Sequence, residues 1–456
     1  MSQFVTAPTV LPYGERIELG RALRAQTPRA AHAEWQPPAS RRDPIDILEE
    51  SSQGRTPHLV PIRYGRMSAD PFAFLRGSAA VMAHDLASTP ASGIRVQACG
   101  DCHIANFGLF ATPERNLIFD INDFDETLPA PWEWDIKRLA ASFAVVFRIR
   151  GFSEKASSEA VLSLARSYRQ RLREYATMRV LDVWYSRLDD KTLIDAAPTA
   201  ETRKNRKRMA DKARASVAEY LFPKITGVSD GHRRLVDQPP LMFHLPDHGE
   251  LEERLHSMLA SYHDTLPAHL RKLLDHYRYE DFAFKVVGVG SVGTRCYVLL
   301  FLAGDNDPLL LQAKEARRSV LEPFAGDSEF SHHGQRIVVG QRLMQSASDM
   351  FLGWTASPAD GGHYYIRQLR DMKYSPPLDK VDAKALVRYA VICGWVLARA
   401  HAKGGDAAMI AGYLGNSDVF DKALARFAQA YGEQTMGRHA SLVQAVQSGR
   451  LQAVLD

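Results

Sequence analysis

The amino-acid sequence predicts an α+β protein that has a large helical part and a smaller antiparallel β part. Residues 67–277, and again those after residue 376, contain long segments in which apolar residues recur at helical spacing. Within residues 278–375, short runs of β-branched and aromatic residues alternate with turns that contain Gly and Asp. We therefore divide the 456-residue chain into an N-terminal arm (1–66), a helical part (67–277), a β-rich part (278–375) and C-terminal helices (376–456) that pack on the helical part.

Bulk composition narrows the class of protein. The net charge of +4 is small for this length, so it gives no support for a nucleic-acid or membrane partner. Four cysteines are too few for a disulfide framework and favour a reduced cytosol. No apolar run approaches the roughly 20 residues that span a bilayer, and the first residues lack the features of a signal peptide. We expect a cytoplasmic protein.

Local signals place the elements of the first half. The arm contains one capped helix at Asp43-Pro44 and otherwise lies over the body or is partly disordered. A helix follows from Asp70 to Leu86, then a short strand, then a loop forced by Pro129 and Pro131. Further helices are predicted from Asp135 and from Ser153 to about Met178. Most of 182–276 is also predicted to be helical, with breaks at Pro198, Pro223 and Pro239-Pro240. We interpret the basic run 203–214 as a solvated helical face rather than a binding patch.

In the second half of the chain, the residue pattern becomes strand-like at about Tyr279. Strands are predicted over 282–289, 296–302, 309–313, 350–354 and 363–369, and helices over 334–345, 383–401, 420–431 and 439–446.

The first stretch that carries chemistry is VQACGDCHIANFGLFATPERNLIFDINDFDE, residues 96–126. Asp101 precedes Asn106 by five residues, and a β-like run then leads to Asp123-Phe124-Asp125. Phosphoryl transfer needs a carboxylate that orients the acceptor hydroxyl, and an amide and a carboxylate that hold magnesium against the phosphates. The alternative is a pair of turns in which Asp and Asn bind their own backbone.

The second stretch that carries chemistry is the glycine-rich segment 288–293. Its Gly288, Gly290 and Gly293 form the pattern G-x-G-x-x-G, which includes Ser291. A dinucleotide-binding loop would open a helix, but the residues that follow this one read as a strand. A glycine loop between two strands covers ATP phosphates in kinases, and Lys314 on the next strand matches the lysine that contacts those phosphates. The alternative is a glycine-rich hairpin without a ligand.

The order of these pieces is reversed relative to a kinase, in which the glycine loop and lysine come first. If they form one site, the chain is a circular permutation, which is feasible when domain termini lie close together.

The sequence resembles two groups of known proteins. The chain resembles the bacterial domain-of-unknown-function family 2252 over nearly all of its length after about residue 43, through FLRG, CGDCHIANFG, DINDFDE, WDIKRLAAS, KVVGVGSVGT, LQAKEA, GQRLMQ, MFLGW and YYIRQLRDMK. This family implies no reaction. The site motifs separately resemble those of the aminoglycoside phosphotransferase branch of the kinase-like superfamily.

That second resemblance implies a kinase-like two-lobed fold in circularly permuted order. It makes Asp101 the base, Asn106 and Asp123 the magnesium ligands, and Lys314 the phosphate contact, and we count Asp125 among the candidate metal ligands as well. The chain departs from the pattern at Cys99, where the branch has His, and at the 334–345 helix, which has no Glu to pair with Lys314. Gln341 or Glu329 is the substitute that the sequence offers.

Two other groups of residues have alternative interpretations. Cys99-Gly100-Asp101-Cys102-His103 satisfies the C-x-x-C-H haem pattern, but no export signal or second ligand pair supports haem or zinc. Arg76 and His103 are candidates to reach the site.

We therefore expect an ATP- and Mg-dependent phosphotransferase that acts on a hydroxyl of an unknown small-molecule or protein acceptor. The alternatives are a catalytically inactive nucleotide-binding sensor and a nucleotidyl transferase. The phosphate-covering residues would be Gly288, Gly290, Ser291, Gly293 and Lys314.

Overall fold

The structure is a computed structural model, and it describes residues 11–38, 41–229, 231–246, 248–304, 306–369 and 371–455. The first ten residues of the predicted arm and Asp305 of the predicted inter-strand turn lie outside the described residues.

In the described residues of the N-terminal region, the α-helices are α1 (Tyr13–Ala22), α2 (Pro44–Ser52), α3 (Val60–Ser68), α4 (Pro71–Gly77) and α5 (Ala79–Leu86). Asp43 caps α2 as predicted, because its carboxylate accepts a hydrogen bond from the Ile45 amide. The predicted single helix 70–86 is wrong, since it is interrupted at Gly77-Ser78. Gly77 lies so close to Met67 that a Cβ there would be 2.5 Å from its side chain.

Two small antiparallel sheets follow, built from β1 (Arg95–Ala98), β2 (Phe107–Ala111), β3 (Leu117–Ile121) and β4 (Leu128–Pro131). β2 pairs with β3, and β1 pairs with β4. The predicted loop at Pro129 and Pro131 is therefore wrong. Both prolines lie in a two-stranded sheet, where a strand edge needs no amide donor.

The helical part comprises α6 (Trp132–Ile149), α7 (Glu154–Thr177), α8 (Val180–Tyr185), α9 (Asp190–Asp195), α10 (Ala200–Arg214), α11 (Ala218–Ile225), α12 (His248–Thr265) and α13 (Ala268–Leu274), with the short strands β5 (Thr226–Ser229), β6 (His232–Leu235) and β7 (Met242–Phe243). Ser153 caps α7 as predicted. The expected break at Pro223 is wrong, because this proline lies inside α11.

The main sheet has the strand order β11-β12-β10-β9-β8-β7 and is antiparallel throughout. Its remaining elements are β8 (Arg278–Lys285), β9 (Cys296–Ala303), β10 (Asp307–Ala316), α14 (Glu322–Ala325), α15 (His333–Met344), β11 (Gly353–Ala356) and β12 (His363–Gln368). Alternate residues face opposite sides. Leu299 and Leu311 pack against α12 and α13, whereas Leu300 and Leu310 pack on the side of α11.

Three helices complete the chain: α16 (Ala383–Gly404), α17 (Ala407–Leu414) and α18 (Val419–Gln447). The two predicted terminal helices are one continuous helix, in which Gly432 approaches Ala144 of α6 closely. Residues of α16, α17 and α18 share one hydrophobic core with α6 and α7. Within the described residues, no helix combines the length and the apolar character that crossing a bilayer requires.

A buried ion pair joins three of these regions. Arg399 of α16 donates to both carboxylate oxygens of Asp120 on β3, at 2.7 and 2.8 Å, and to the Met344 carbonyl at the end of α15. Ser346 donates to the same carboxylate from its amide and its hydroxyl. The side chains of Asp120 and Arg399 are 1% and 2% exposed, so water cannot replace either partner.

We expect Arg399→Met to lower the free energy of unfolding by about 3–5 kcal/mol, because it leaves a buried carboxylate without its cation. Urea unfolding followed by circular dichroism measures this loss.

The matched control is Lys384→Met, an exposed position on the same helix, which should change stability by less than about 0.5 kcal/mol. The double variant Asp120→Asn/Arg399→Met should lose less than the sum of the two single variants. Additivity to within about 0.5 kcal/mol would show that the pair is not coupled.

Candidate functional site

The loop between β1 and β2 carries Asp101 and is held from beneath by α6. Both carboxylate oxygens of Asp135 accept backbone hydrogen bonds from this loop, from Cys99 at 2.8 Å and from Gly100 at 3.0 Å. Gly100 has φ +82°, and a Cβ there would lie 2.3 Å from the Glu126 carbonyl. A glycine at this position therefore lets the loop approach the segment that follows β3.

Asp101 is oriented by a cation and by its own loop. Arg138, one turn after Asp135 on α6, donates from Nε and Nη2 to Oδ1 of Asp101. The Asn106 side-chain amide donates to the Asp101 carbonyl at 2.6 Å, and His103 Nε2 lies 3.8 Å from Oδ2. Burial raises the pKa of Asp101 above its ordinary value, Arg138 opposes this, and Asp123 adds to it.

The segment after β3 brings Asp123 and Asp125 to the same place. The Asn122 amide donates to the Asn106 carbonyl at 2.8 Å, so the two motifs of the first stretch are directly bonded. The Asp125 carboxylate accepts from Lys314 Nζ and from the Tyr365 hydroxyl, each at 2.6 Å. Burial alone would raise the pKa of Asp125, but Lys314, Tyr365 and Arg367 together lower it.

Lys314 reaches Asp125 because of strand alternation. On β10 it has the same parity as Leu310 and Gln312, so it projects from the face of the main sheet that meets α11 and the helical part. Tyr365 and Arg367 of β12 belong to this face as well. Burial alone would lower the pKa of Lys314. The charges of Asp125, Tyr365 and Asp123, of which Asp125 contributes most, outweigh burial and raise this pKa well above its usual value.

The glycine-rich segment between β8 and β9 is clamped by the N-terminal region. Arg55 donates from Nη1 to the carbonyls of Gly290 and Val292 at 2.8 and 2.7 Å. Arg66 donates to the Gly288 carbonyl at 2.7 Å. Gly293 packs under Arg55, since a Cβ at this position would lie 3.1 Å from the Arg55 Cβ, and the Gly293 carbonyl accepts from the Thr56 amide. The loop is thus held between the sheet and the chain that precedes the helical part.

Two adjoining cavities meet at this loop and share Asp123, Gly288 and Ser291. The arginine-lined cavity, about 920 Å³ including its open mouth, is bordered by the acidic motif residues and by four arginines: Asp101, Asn106, Asp123, Asp125, Glu126, Arg55, Arg63, Arg76 and Arg317. The lysine-lined cavity adds polar and apolar groups from the sheet and its neighbours: Lys285, Gln312, Lys314, Arg367, Lys373, Val287, Leu221 and Leu369.

These cavities contain almost every residue that the sequence singles out. Gly290 borders the arginine-lined cavity, and the candidates Arg76 and His103 do so too. Gly293 lies at the end of the loop beneath Arg55. Lys314 pairs with Asp125, whereas Gln341 donates to Gln345 at 3.1 Å, so Gln341 does not replace the missing glutamate.

Asp123 and Asn106 border the same cavity and carry the type of oxygen ligand that a hard divalent cation prefers. Asp123 supplies a carboxylate, and Asn106 uses its amide nitrogen on Asp101, which leaves the amide oxygen as a ligand. Both oxygens of Asp125 are engaged by Lys314 and Tyr365. Asp125 can therefore bind a metal only if one of these partners moves.

The C-x-x-C-H letters have a structural explanation. Cys99, Cys102 and Asp135 form a buried group whose ligand atoms lie within 4.8 Å of one another. Burial raises the pKa of both thiols, which favours the protonated form rather than the metal-binding thiolate. Both oxygens of Asp135 already accept loop amides. Burial, with Arg76 and Arg138, lowers the pKa of His103 well below its usual value.

Sequence reasoning missed several residues that shape the site. Arg138 had a detectable signal, since it follows Asp135 by three residues and shares its helical face. Tyr365 lies in the segment YYIRQLRDMK, which assigns it no role, and Arg55 and Arg63 belong to no short motif. Only tertiary packing brings these three residues to the site.

Comparison with known proteins gives a family but no described activity. No curated protein and no solved structure matches the chain. The family described as "Uncharacterized protein conserved in bacteria (DUF2252)" matches residues 55–445. This range includes both acidic motifs, the glycine-rich segment and Lys314. The chain is a member of the bacterial DUF2252 family.

Proposed function

We propose that the protein is an ATP- and Mg-dependent phosphotransferase with a circularly permuted, kinase-like two-lobed fold. The observation that carries the proposal is the meeting of two distant sequence motifs. Asp101, Asn106 and Asp123 border the same cavity as Gly288, Gly290 and Ser291, although almost two hundred residues separate the two groups. Lys314 lies against Asp125 at this junction.

The topology of the main sheet also supports a kinase-like arrangement. The glycine loop joins β8 to β9, Lys314 lies on the next strand, and α15 follows it before β11. Protein kinases likewise place the glycine loop, a third-strand lysine and a helix in this order. The acidic motifs precede this unit in the chain instead of following it, as a permuted order requires.

In the proposed reaction the acceptor hydroxyl attacks the terminal phosphorus of ATP, a new O–P bond forms, and the bond to ADP breaks. Oδ2 of Asp101 takes the hydroxyl proton, because Arg138 already occupies Oδ1. Asn106 and Asp123 would hold Mg²⁺, which neutralises phosphate charge. Lys314 and the loop amides would position the phosphates, and Leu221, Val287 and Leu369 give the lysine-lined cavity an apolar wall for the base.

One observation favours a second candidate, a nucleotide-binding sensor without turnover. An active kinase pairs its lysine with a glutamate of the following helix. Here α15 has no glutamate, and Lys314 pairs instead with Asp125 of the proposed metal site. Transfer of a nucleotidyl group is a further variant of the enzyme, and the released product distinguishes it.

The test is incubation of the purified protein with Mg²⁺ and with ATP labelled at either the α or the γ phosphate. Release of ADP with transfer of the γ label supports the proposal, and release of pyrophosphate indicates nucleotidyl transfer. Binding without either product favours the sensor, and the absence of nucleotide binding contradicts all three.

We expect Asp101→Asn to lower turnover by roughly 10²–10⁴-fold while Mg·ATP affinity stays within about twofold, because it removes the base but keeps an acceptor for Arg138. Asp123→Asn should weaken Mg-dependent nucleotide binding as well as turnover. Labelled phosphate release and isothermal titration calorimetry measure the two effects.

The matched control for both is the exposed Asp379→Asn, which should behave as wild type. Equal turnover in Asp101→Asn and wild type would remove the proposed role of the base.

We expect Lys314→Met to weaken binding of Mg with AMP-PNP, a slowly hydrolysed ATP analogue, by about 10- to 150-fold. This corresponds to the roughly 1.5–3 kcal/mol of a hydrogen bond to a charged group. Calorimetric titration measures the affinity, and circular dichroism checks the fold.

Lys272→Met, at a lysine that is 86% exposed, is the control and should leave the affinity unchanged. An unchanged affinity in Lys314→Met would contradict the proposed contact between Lys314 and the nucleotide.

A further inference from the structure

Three arginines of the arginine-lined cavity bind backbone carbonyls and hydroxyls instead of carboxylates. Arg63 donates to the Ser52 hydroxyl and to the Gly77 carbonyl, each at 2.8 Å, and Arg317 donates to the Gln53 carbonyl. The partners of Arg55 are also carbonyls, those of Ser51, Gly290 and Val292. Among the described residues, none of these three arginines forms an ion pair.

Arg76 is the least engaged of the four. Its Nε is buried without a hydrogen-bond partner, and its guanidinium borders the cavity near Asp101 and His103. The Nδ1 atom of His103, a residue only 3% exposed, is also without a hydrogen-bond partner in the described part of the chain. Two buried polar groups on one wall therefore lack a partner that a ligand would supply.

The carboxylates of this cavity bind groups other than these four arginines. Asp101 binds Arg138, Asp125 binds Lys314, and Glu315 binds Arg295. Glu126 accepts the Val320 amide at 2.8 Å, and Asp123 accepts the Asp125 amide at 3.3 Å. The guanidinium groups on the wall formed by the N-terminal region are therefore not paired directly with a carboxylate of the cavity. Burial lowers the pKa of Arg63 to about 10, and burial together with Arg63 and Arg317 lowers that of Arg55 although Glu126 and Glu315 oppose this, as expected for buried, clustered cations.

The position of this charge relative to Asp101 indicates which reactant it serves. Asp101 and His103 border the arginine-lined cavity, whereas Lys314 and the apolar wall border the lysine-lined cavity on the other side of Gly288 and Ser291. If the nucleotide base occupies the lysine-lined cavity, the acceptor hydroxyl must reach Asp101 through the arginine-lined one.

We propose that the acceptor already carries a phosphate group, which Arg55, Arg63 and Arg76 bind beside Asp101. This inference rests on the proposed function and specifies its substrate class. Several guanidinium groups suit a dianionic phosphate better than a single carboxylate, because each fork can bind two of its oxygens.

The test uses inorganic phosphate as the probe, titrated into wild-type protein with and without saturating Mg·AMP-PNP, and acetate as the comparison anion. We expect phosphate to bind in both cases and acetate to bind at least about tenfold more weakly. Arg76→Gln should weaken phosphate binding at least about tenfold and leave AMP-PNP affinity within about twofold. Arg166→Gln, at an exposed arginine of α7, is the control.

Arg76 has no hydrogen bond to lose at Nε, so we expect its variant to keep the wild-type unfolding midpoint, which urea unfolding checks. Phosphate that displaces AMP-PNP would assign the arginines to the nucleotide and overturn the proposal. Absence of phosphate binding, equal binding of acetate, or an unaffected Arg76→Gln would overturn it too. Failure of AMP-PNP to bind would instead overturn the phosphotransferase, and the titration without nucleotide would still decide the anion site.

Discussion

The ion pair between Asp125 and Lys314 is the interaction on which the site depends. It joins residues 189 positions apart, one in the segment after β3 and one on β10 of the main sheet. Other hydrogen bonds lie close to this ion pair. Arg336 of α15 donates to the carbonyls of Asp125 and Thr127, and Ser319 donates to the Glu126 carbonyl. Residues 125–127 are thus attached to β10, to the loop that follows it and to α15.

This pair also constrains the proposed chemistry. Lys314 cannot give its full charge to a phosphate while it neutralises Asp125, and Asp125 cannot bind a metal while Lys314 and Tyr365 occupy both its oxygens. A phosphate that attracts Lys314 would release one oxygen of Asp125 beside Asp123. The phosphate-contact role of Lys314 and the metal-ligand role of Asp125 are therefore compatible if both begin when nucleotide binds.

Sequence reasoning placed local features well because their causes are local. Asp43 and Ser153 cap helices through amides two or three residues away, and the predicted β-like run before Asp123 forms the strand Leu117–Ile121. The errors have tertiary causes. Pro129 is tolerated because its strand lies in a two-stranded sheet, and α18 continues through Gly432 because this glycine packs against α6. Helical and strand propensity cannot report such contacts.

For the same reason, only part of the candidate site could be predicted from the sequence. Asp101, Asn106 and Asp123 belong to short motifs whose spacing reflects chemistry, so the sequence exposes them. The arginines of the N-terminal region follow no spacing rule, because their position depends on how residues 51–77 pack across the glycine loop. Family membership does not supply their role either, since the family is described only as uncharacterized.

Arg55 and the glycine loop that it holds lie between the two cavities. Arg55 binds the Gly290 and Val292 carbonyls and also borders the arginine-lined cavity, so an anion there would contact the residue that fixes the loop. Neutralising the neighbouring Arg63 and Arg76 would reduce repulsion within the cluster and make its present arrangement more stable. Since Gly288 and Ser291 of this loop border the lysine-lined cavity as well, an anion at the arginines should favour the loop conformation that a nucleotide meets. Coupling of this kind is reciprocal, so a bound nucleotide should equally favour the anion.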